Sequence, residues 1–143
     1  MRLLILLTAL LGSCAPDYHA AFKKESALIP DPLVSTEGAW KGYWKSDTNG
    51  HYGPLWCIVR LSPGKPGSHD FRYRAGWGVL RFGNYTHTTP TIRNRDGSFI
   101  LNGAMILPAG LGTYKVKGNL TPATFDATYS SKHDRGTLTL RRP

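Results

Sequence analysis

The sequence holds little of what catalysis or covalent cross-linking would use. It has two cysteines, Cys14 and Cys57, in 143 residues. Two thiols cannot build a disulfide scaffold or a four-ligand zinc site. Acids are scarce: nine Asp+Glu stand against eighteen Lys+Arg, a formal net charge of +9. In the body of the chain they are Asp47, Asp70, Asp96, Asp126 and Asp134, placed at expected turns or on an outward strand position. None belongs to a buried pair poised for acid–base work. There is no Gly-x-Ser-x-Gly, no His-Glu-x-x-His and no phosphate-binding Gly-Lys-Ser/Thr. Ser68-His69-Asp70 contains triad residue types, but adjacency in a turn is not triad geometry. Charged residues are only 19%, which excludes a coiled coil and a highly charged disordered chain. No catalytic constellation is expected, and an envelope enzyme is the last of three functional readings.

What is there begins with the leader. Met1 to Leu11 carries one positive charge, at Arg2, and is otherwise almost wholly apolar. A run of that length is too short to span a bilayer, which takes about 20 apolar residues. Its length and flanks suit an export signal. It ends in Leu11-Gly12-Ser13-Cys14, which resembles the lipobox of bacterial lipoproteins. The resemblance implies a signal peptide over 1–13, cleavage before Cys14, and diacylglycerol plus a palmitate-type N-acyl chain on that cysteine. Ala15 stands where Asp would favour inner-membrane retention, so the resemblance points to the outer membrane of the cell envelope. Two or more acyl chains anchor stably where one binds only marginally. Cys57 is then left without a partner in the chain. It sits in the apolar run Leu55-Trp56-Cys57-Ile58-Val59 and reads as a small buried hydrophobe.

Residues 14–37 read as a lipidated tether, with a helical turn or two over 20–27. A flexible chain of that length spans roughly 25 Å. From Gly38 to Pro143 the pattern changes to short runs of period two, over 38–46, 55–62, 70–78, 85–93, 98–107, 112–119, 123–130 and 136–142. Turn signals rich in Gly, Asn, Asp and Pro fill the gaps. The pattern predicts an all-β domain, an eight-stranded antiparallel up-and-down barrel, with a two-sheet sandwich as the alternative. Alternation puts Trp40, Trp44, Phe71, Tyr73, Trp77, Tyr114, Phe125 and Tyr129 on inward positions. The fifth run is ambiguous between Phe99/Leu101/Met105 and Ile100/Ala104/Ile106. The fourth is the weakest strand, because Pro90 interrupts it.

Gly38-Ala39-Trp40 opens the first strand and Arg141 ends the last. This resembles the lipocalin and avidin-like (calycin) arrangement, which implies a barrel opened by Gly-x-Trp with an arginine packed over that Trp. The stretch from Gly38 to Arg141 also resembles small bacterial lipoproteins of unknown function. An eight-stranded barrel is filled by side chains or holds one small ligand. Trp40, Trp44, Tyr73, Trp77 and Tyr129 are the candidate ligand-binding residues, and a filled aromatic core is the alternative use of the same rings.

In a meander, alternate loops share an end. One end collects Lys65, Arg93, Arg95, Arg141 and Arg142, together with the arriving tether. That basic end is expected to face anionic head groups. The other mouth brings Asp47 and His51 near His133 and Asp134; such residues suit a divalent metal but are also common turn formers, and no metal or cofactor is expected. A pI of about 9.8 would also fit nucleic acid, but export argues against that partner. The expected role is therefore a non-enzymatic accessory or binding function in the envelope, with a lipocalin-like carrier of a small hydrophobic ligand as the alternative.

Overall fold

A computed structural model describes residues 16–28, 35–107 and 110–143. The leader and Cys14 lie outside the described residues. The chain forms one helix, α1 (Pro16–Ala27), and eight strands: β1 (Gly38–Ser46), β2 (Tyr52–Leu61), β3 (Ser68–Trp77), β4 (Leu80–Arg93), β5 (Phe99–Ile106), β6 (Thr113–Leu120), β7 (Thr124–Ser130) and β8 (Arg135–Arg141). Each strand pairs with the next in antiparallel register, and β8 returns to β1, so the sheet closes into a barrel. This is the meander predicted from the alternation; the sandwich does not form.

Alternation decides what goes inside. Trp40, Leu55, Cys57, Val59, Phe71, Tyr73, Leu101, Val116, Leu120, Phe125, Ala127, Leu138 and Leu140 make one continuous core. Fully burying a large apolar side chain contributes about 1.5–3 kcal/mol. The ambiguity in β5 resolves toward Phe99, Leu101 and Met105, while Ile100 and Ile106 are exposed. Leu101 must oppose Thr91 on β4 and Gly118 on β6, and that register leaves the other set outside. Gly42 and Gly136 let β1 and β8 approach closely. A Cβ on Gly42 would overlap the Thr139 carbonyl oxygen, and one on Gly136 the Lys45 carbonyl oxygen.

β4 departs most from the expected outline. It starts at Leu80 and runs straight through Pro90. Pro90 does not break the strand; it coincides with the end of one of its ladders. Pairing of β4 with β5 covers only Thr91↔Leu101, Ile92↔Ile100 and Arg93↔Phe99. Thr91 N–H donates the other way, to Gly67 O at 2.9 Å. Successive residues of a strand present their backbone groups to opposite neighbours, so residue 90 would be the next donor toward β5. Proline has no N–H to give.

The helix is longer than the expected turn or two, and it is docked. Pro16 suits a helix start, and Asp17 in the first turn with Lys24 in the last complements the helix dipole. Tyr18, Ala21 and Phe22 form a short apolar stripe on Ala39, Ile58 and Trp56, which lie on the outer face of β1 and β2. Tyr18 is 1% exposed, and its hydroxyl donates to Arg72 O at 3.1 Å. Glu25 pairs with Arg60 and Asp17 with Arg72. Residues 16–27 are therefore fixed along the barrel wall rather than hanging as a spacer.

Candidate ligand-binding site in the barrel

One end of the barrel is sealed. Trp40, from the opening Gly-x-Trp, is fully buried and packs edge-on against Phe125, with ring centroids 6.2 Å apart. Its Nε1–H donates to Thr36 O at 3.1 Å. Phe71 lies 5.3 Å from Phe125, and His69 meets Phe99 edge-on at 4.6 Å. An arginine does cover Trp40, but it is Arg142 and not Arg141. The Arg142 guanidinium carbon is 4.1 Å from the Trp40 ring centroid. The same group donates to Ser35 O at 2.6 Å, to Glu37 O at 2.8 Å and to Pro122 O at 3.1 Å. Strand parity explains the change: Arg141 points outward, to Asp126 at 2.9 Å, so the next residue turns over the barrel end. Of the five cations expected at this end, Lys65, Arg93 and Arg95 are exposed. Arg141 is ion-paired, and Arg142 forms the lid.

The other half of the interior differs in chemistry. Tyr73 on β3, Tyr85 and His87 on β4, Tyr114 on β6 and Tyr129 on β7 converge there. Tyr73 lies 5.7 Å from Tyr85, His87 6.0 Å from Tyr114, and Tyr114 6.0 Å from Tyr129. Register places Tyr85 opposite Tyr73 and His87 opposite Phe71, after a bulge between Tyr73 and Arg74. The bulge is set by Gly83 and Asn84, both at positive φ. It phases Tyr85, His87 and Thr89 inward.

Several of these groups are buried without a protein partner. Among the described residues, the Tyr73 hydroxyl, both ring nitrogens of His87 and the Thr89 hydroxyl meet no hydrogen-bond partner, and neither does His69 Nε2. Tyr73 is 2% exposed, His87 2% and Thr89 0%. Leaving such a group unpaired costs about 1–3 kcal/mol. Burial pushes the Tyr73 and Tyr114 hydroxyls well above the ordinary phenol range. Tyr85 is partly exposed, yet burial around its hydroxyl pushes it up to about 12. Burial lowers His87; the nearby Ala104 backbone opposes the shift but does not reach hydrogen-bond geometry with either ring nitrogen. These side chains are therefore neutral hydrogen-bonding groups near pH 7.

The mouth above is framed by fixed polar contacts. Trp44 Nε1–H donates to Gly76 O at 2.9 Å. Asp134 accepts from Ser46 Oγ at 2.6 Å and from Tyr129 OH at 2.8 Å. Burial opposes ionisation of Asp134, but those bonds outweigh it and hold the carboxyl below its usual value. His51 stacks on Trp77 at 5.1 Å. The His51 and Asp134 side chains are thus drawn to other partners, and among the described residues no three potential ligands gather for a metal.

Of the five candidate ligand residues, Tyr73, Trp44 and Tyr129 face the upper interior. Trp40 belongs to the sealed floor. Trp77 is 48% exposed on the rim, because β3 ends there and no facing wall remains. Sequence reasoning missed Tyr85, His87 and Thr89. Their strand is polar on both faces, so hydrophobic alternation carries no signal; only the period-two spacing Tyr85-x-His87-x-Thr89 does. Cys57 is 0% exposed, inside the core, with its thiol pushed up by burial, as an inert packing residue should be.

A recess lies outside the barrel, a groove of about 320 Å³ between α1 and the wall, lined by Tyr18, His19, Phe22, Trp56, Arg74 and Arg81. Comparison with family models, with curated proteins and with solved structures found no match to this chain.

Proposed function

We propose that this chain is a lipid-anchored binding protein of the bacterial cell envelope, held in the outer membrane through acylated Cys14. Its barrel takes one small ligand with an aromatic or apolar body and a hydrogen-bonding group. The observation that carries this reading is the set of unpaired polar atoms on Tyr73, His87 and Thr89, buried among tyrosine rings. A core meant only to be filled would use apolar side chains there, because each orphaned group costs stability. Rings supply area and the unpaired groups supply orientation, the usual division of labour in a small-molecule site.

The lipocalin-like architecture agrees with this role: floor closed by Trp40 and Arg142, wide end framed by Trp44 and Asp134. The test is native mass spectrometry of the protein extracted from membranes under mild conditions, followed by identification of released small molecules. A stoichiometric adduct lost in the Tyr73→Phe/His87→Phe double variant is expected. A protein that carries no adduct, and that no apolar or aromatic compound stabilises against heat, would leave the filled-core reading in place. Intact mass of the same preparation tests acylation of Cys14.

A further inference from the structure

We propose that the groove between α1 and the barrel wall binds a small aromatic carboxylate. The groove lies outside the barrel, so this inference goes beyond the interior ligand and does not depend on it.

Rings make the walls of this slot. From α1 come Tyr18 and Phe22, stacked with centroids 6.2 Å apart, and from β2 comes the half-buried Trp56. A space of about 320 Å³ lies at the small end of the range for small-molecule sites. It suits a flat body of one or two rings, which the aromatic lining would take by stacking and edge contacts. A molecule seated there touches the helix on one side and the strands on the other, so its binding holds α1 to the wall.

Charge sets the polarity of the ligand. Arg74 and Arg81 line the groove, and no acid does. Among the described residues the ion pairs belong to Arg60, Arg72 and Arg141. Arg72 is satisfied: it donates to Asn84 Oδ1 at 2.7 Å and to Asp17 Oδ2 at 3.3 Å. Arg74, the next outward residue of β3, has no such partner among the described residues. Its guanidinium carbon is 6.0 Å from the Tyr18 ring centroid, and register sets it beside Trp56. Arg81 is braced in place. It lies opposite Gly76, where a Cβ would meet Arg81 Nη1 at 2.9 Å. With no side chain there, Arg81 reaches within 5.5 Å of the Trp56 ring centroid, while its Nη1 donates to Gly78 O at 3.0 Å and Leu80 O at 2.8 Å. The slot therefore has one fixed cation and one guanidinium whose fork is unengaged. That fork matches the two oxygens of a carboxylate, and both charges repel a cationic ligand.

The experiment titrates the full chain with naphthoate and with its uncharged counterpart, naphthamide. Calorimetry should show one naphthoate per chain, with the amide about ten- to hundredfold weaker. Arg74→Ala should weaken naphthoate by a similar factor and Arg74→Lys by less, with circular dichroism checking that each variant is folded. Tyr73→Phe/His87→Phe, which alters only the barrel interior, should leave naphthoate affinity unchanged. One measurement needs no variant: in the unmodified sequence, naphthoate should slow deuterium exchange of the α1 amides more than naphthamide does at the same concentration. Equal affinity for acid and amide, an Arg74→Ala affinity equal to that of the unmodified chain, or no heat at millimolar naphthoate would each overturn the site. Naphthoate binding that disappears in the interior double variant and leaves α1 exchange unaltered would place the probe in the barrel and overturn it as well. An absent adduct in native mass spectrometry bears on the interior ligand alone.

Discussion

Replacing Arg142 by alanine should cost much more than replacing its neighbour Arg141. The Arg142 guanidinium donates to the backbone carbonyls of Ser35, Glu37 and Pro122, with a longer contact to Ala39 O, and lies over the Trp40 ring. A hydrogen bond from a charged donor contributes about 1.5–3 kcal/mol, and a stacked cation about 0.5–2 kcal/mol. The floor is partly solvated, so water replaces some of what is lost, and the terms are not additive. A loss of about 3 kcal/mol is the expected net effect. For a domain of this size that lowers Tm by about 10 °C. Arg141 makes one exposed ion pair with Asp126, so Arg141→Ala should cost less than about 1 kcal/mol. Arg142→Lys keeps charge but not the planar fork, and should fall between. The assay is urea unfolding followed by Trp fluorescence, with Trp40 reporting on its own environment. If Arg142→Ala and Arg141→Ala are equally mild, Arg142 does not close the barrel end.

Other consequences are as direct. Tyr73→Phe removes a buried hydroxyl that has no protein partner; the ligand-free protein should gain up to about 1 kcal/mol, and a loss of that size in urea unfolding would show that the hydroxyl is satisfied. Gly42→Ala drives a Cβ into the Thr139 carbonyl and should cost about 3 kcal/mol, whereas Gly64→Ala, with open space around it, should be near neutral; comparing their urea midpoints checks both. Burial lowers the folded-state pKa of His69 and His87 below the ordinary 6.5. The unfolded chain therefore binds more protons as pH falls through that value, so stability is full above it and declines below it until the folded-state values are passed. His87→Phe should flatten part of the decline in urea midpoints measured between neutral and mildly acidic pH.

Much of this fold was readable from alternation because most strands are apolar on one face only. Trp40/Trp44, Phe71/Tyr73, Tyr114/Val116 and Leu138/Leu140 all point inward as the period demands, and the short turns leave a meander as the simplest path. The docked helix was harder to see. Its stripe is only Tyr18, Ala21 and Phe22, and its partner surface is made by Ala39, Trp56 and Ile58 on what period two marks as the solvent face. The clue was in β2, where Leu55-Trp56-Cys57-Ile58-Val59 is apolar on both faces, the pattern of a strand covered on both sides. The candidate site was least legible because its β4 contribution consists of polar residues flanked by polar residues. Pro90 misled for a related reason: it lowers the strand signal of a segment whose only loss is one ladder. The cation over Trp40 was placed one residue early, since a strand's last outward residue and the first residue past its end look alike in sequence.

The short seam between β4 and β5 has a mechanical meaning. Every other ladder runs for six to ten residue pairs, while this one has three. The cylinder is thus two four-stranded shells, β1–β4 clasped by α1 and β5–β8, sewn firmly along β1–β8 and loosely along the opposite side. Such an object opens like a clam on its stronger hinge. Amide deuterium should enter those N–H groups of Asn102–Ile106 that face β4 long before it reaches their neighbours bonded to β6, or Gly42 or Leu140. A chain cut within the Asn94–Gly97 turn should yield halves that find each other again in the test tube.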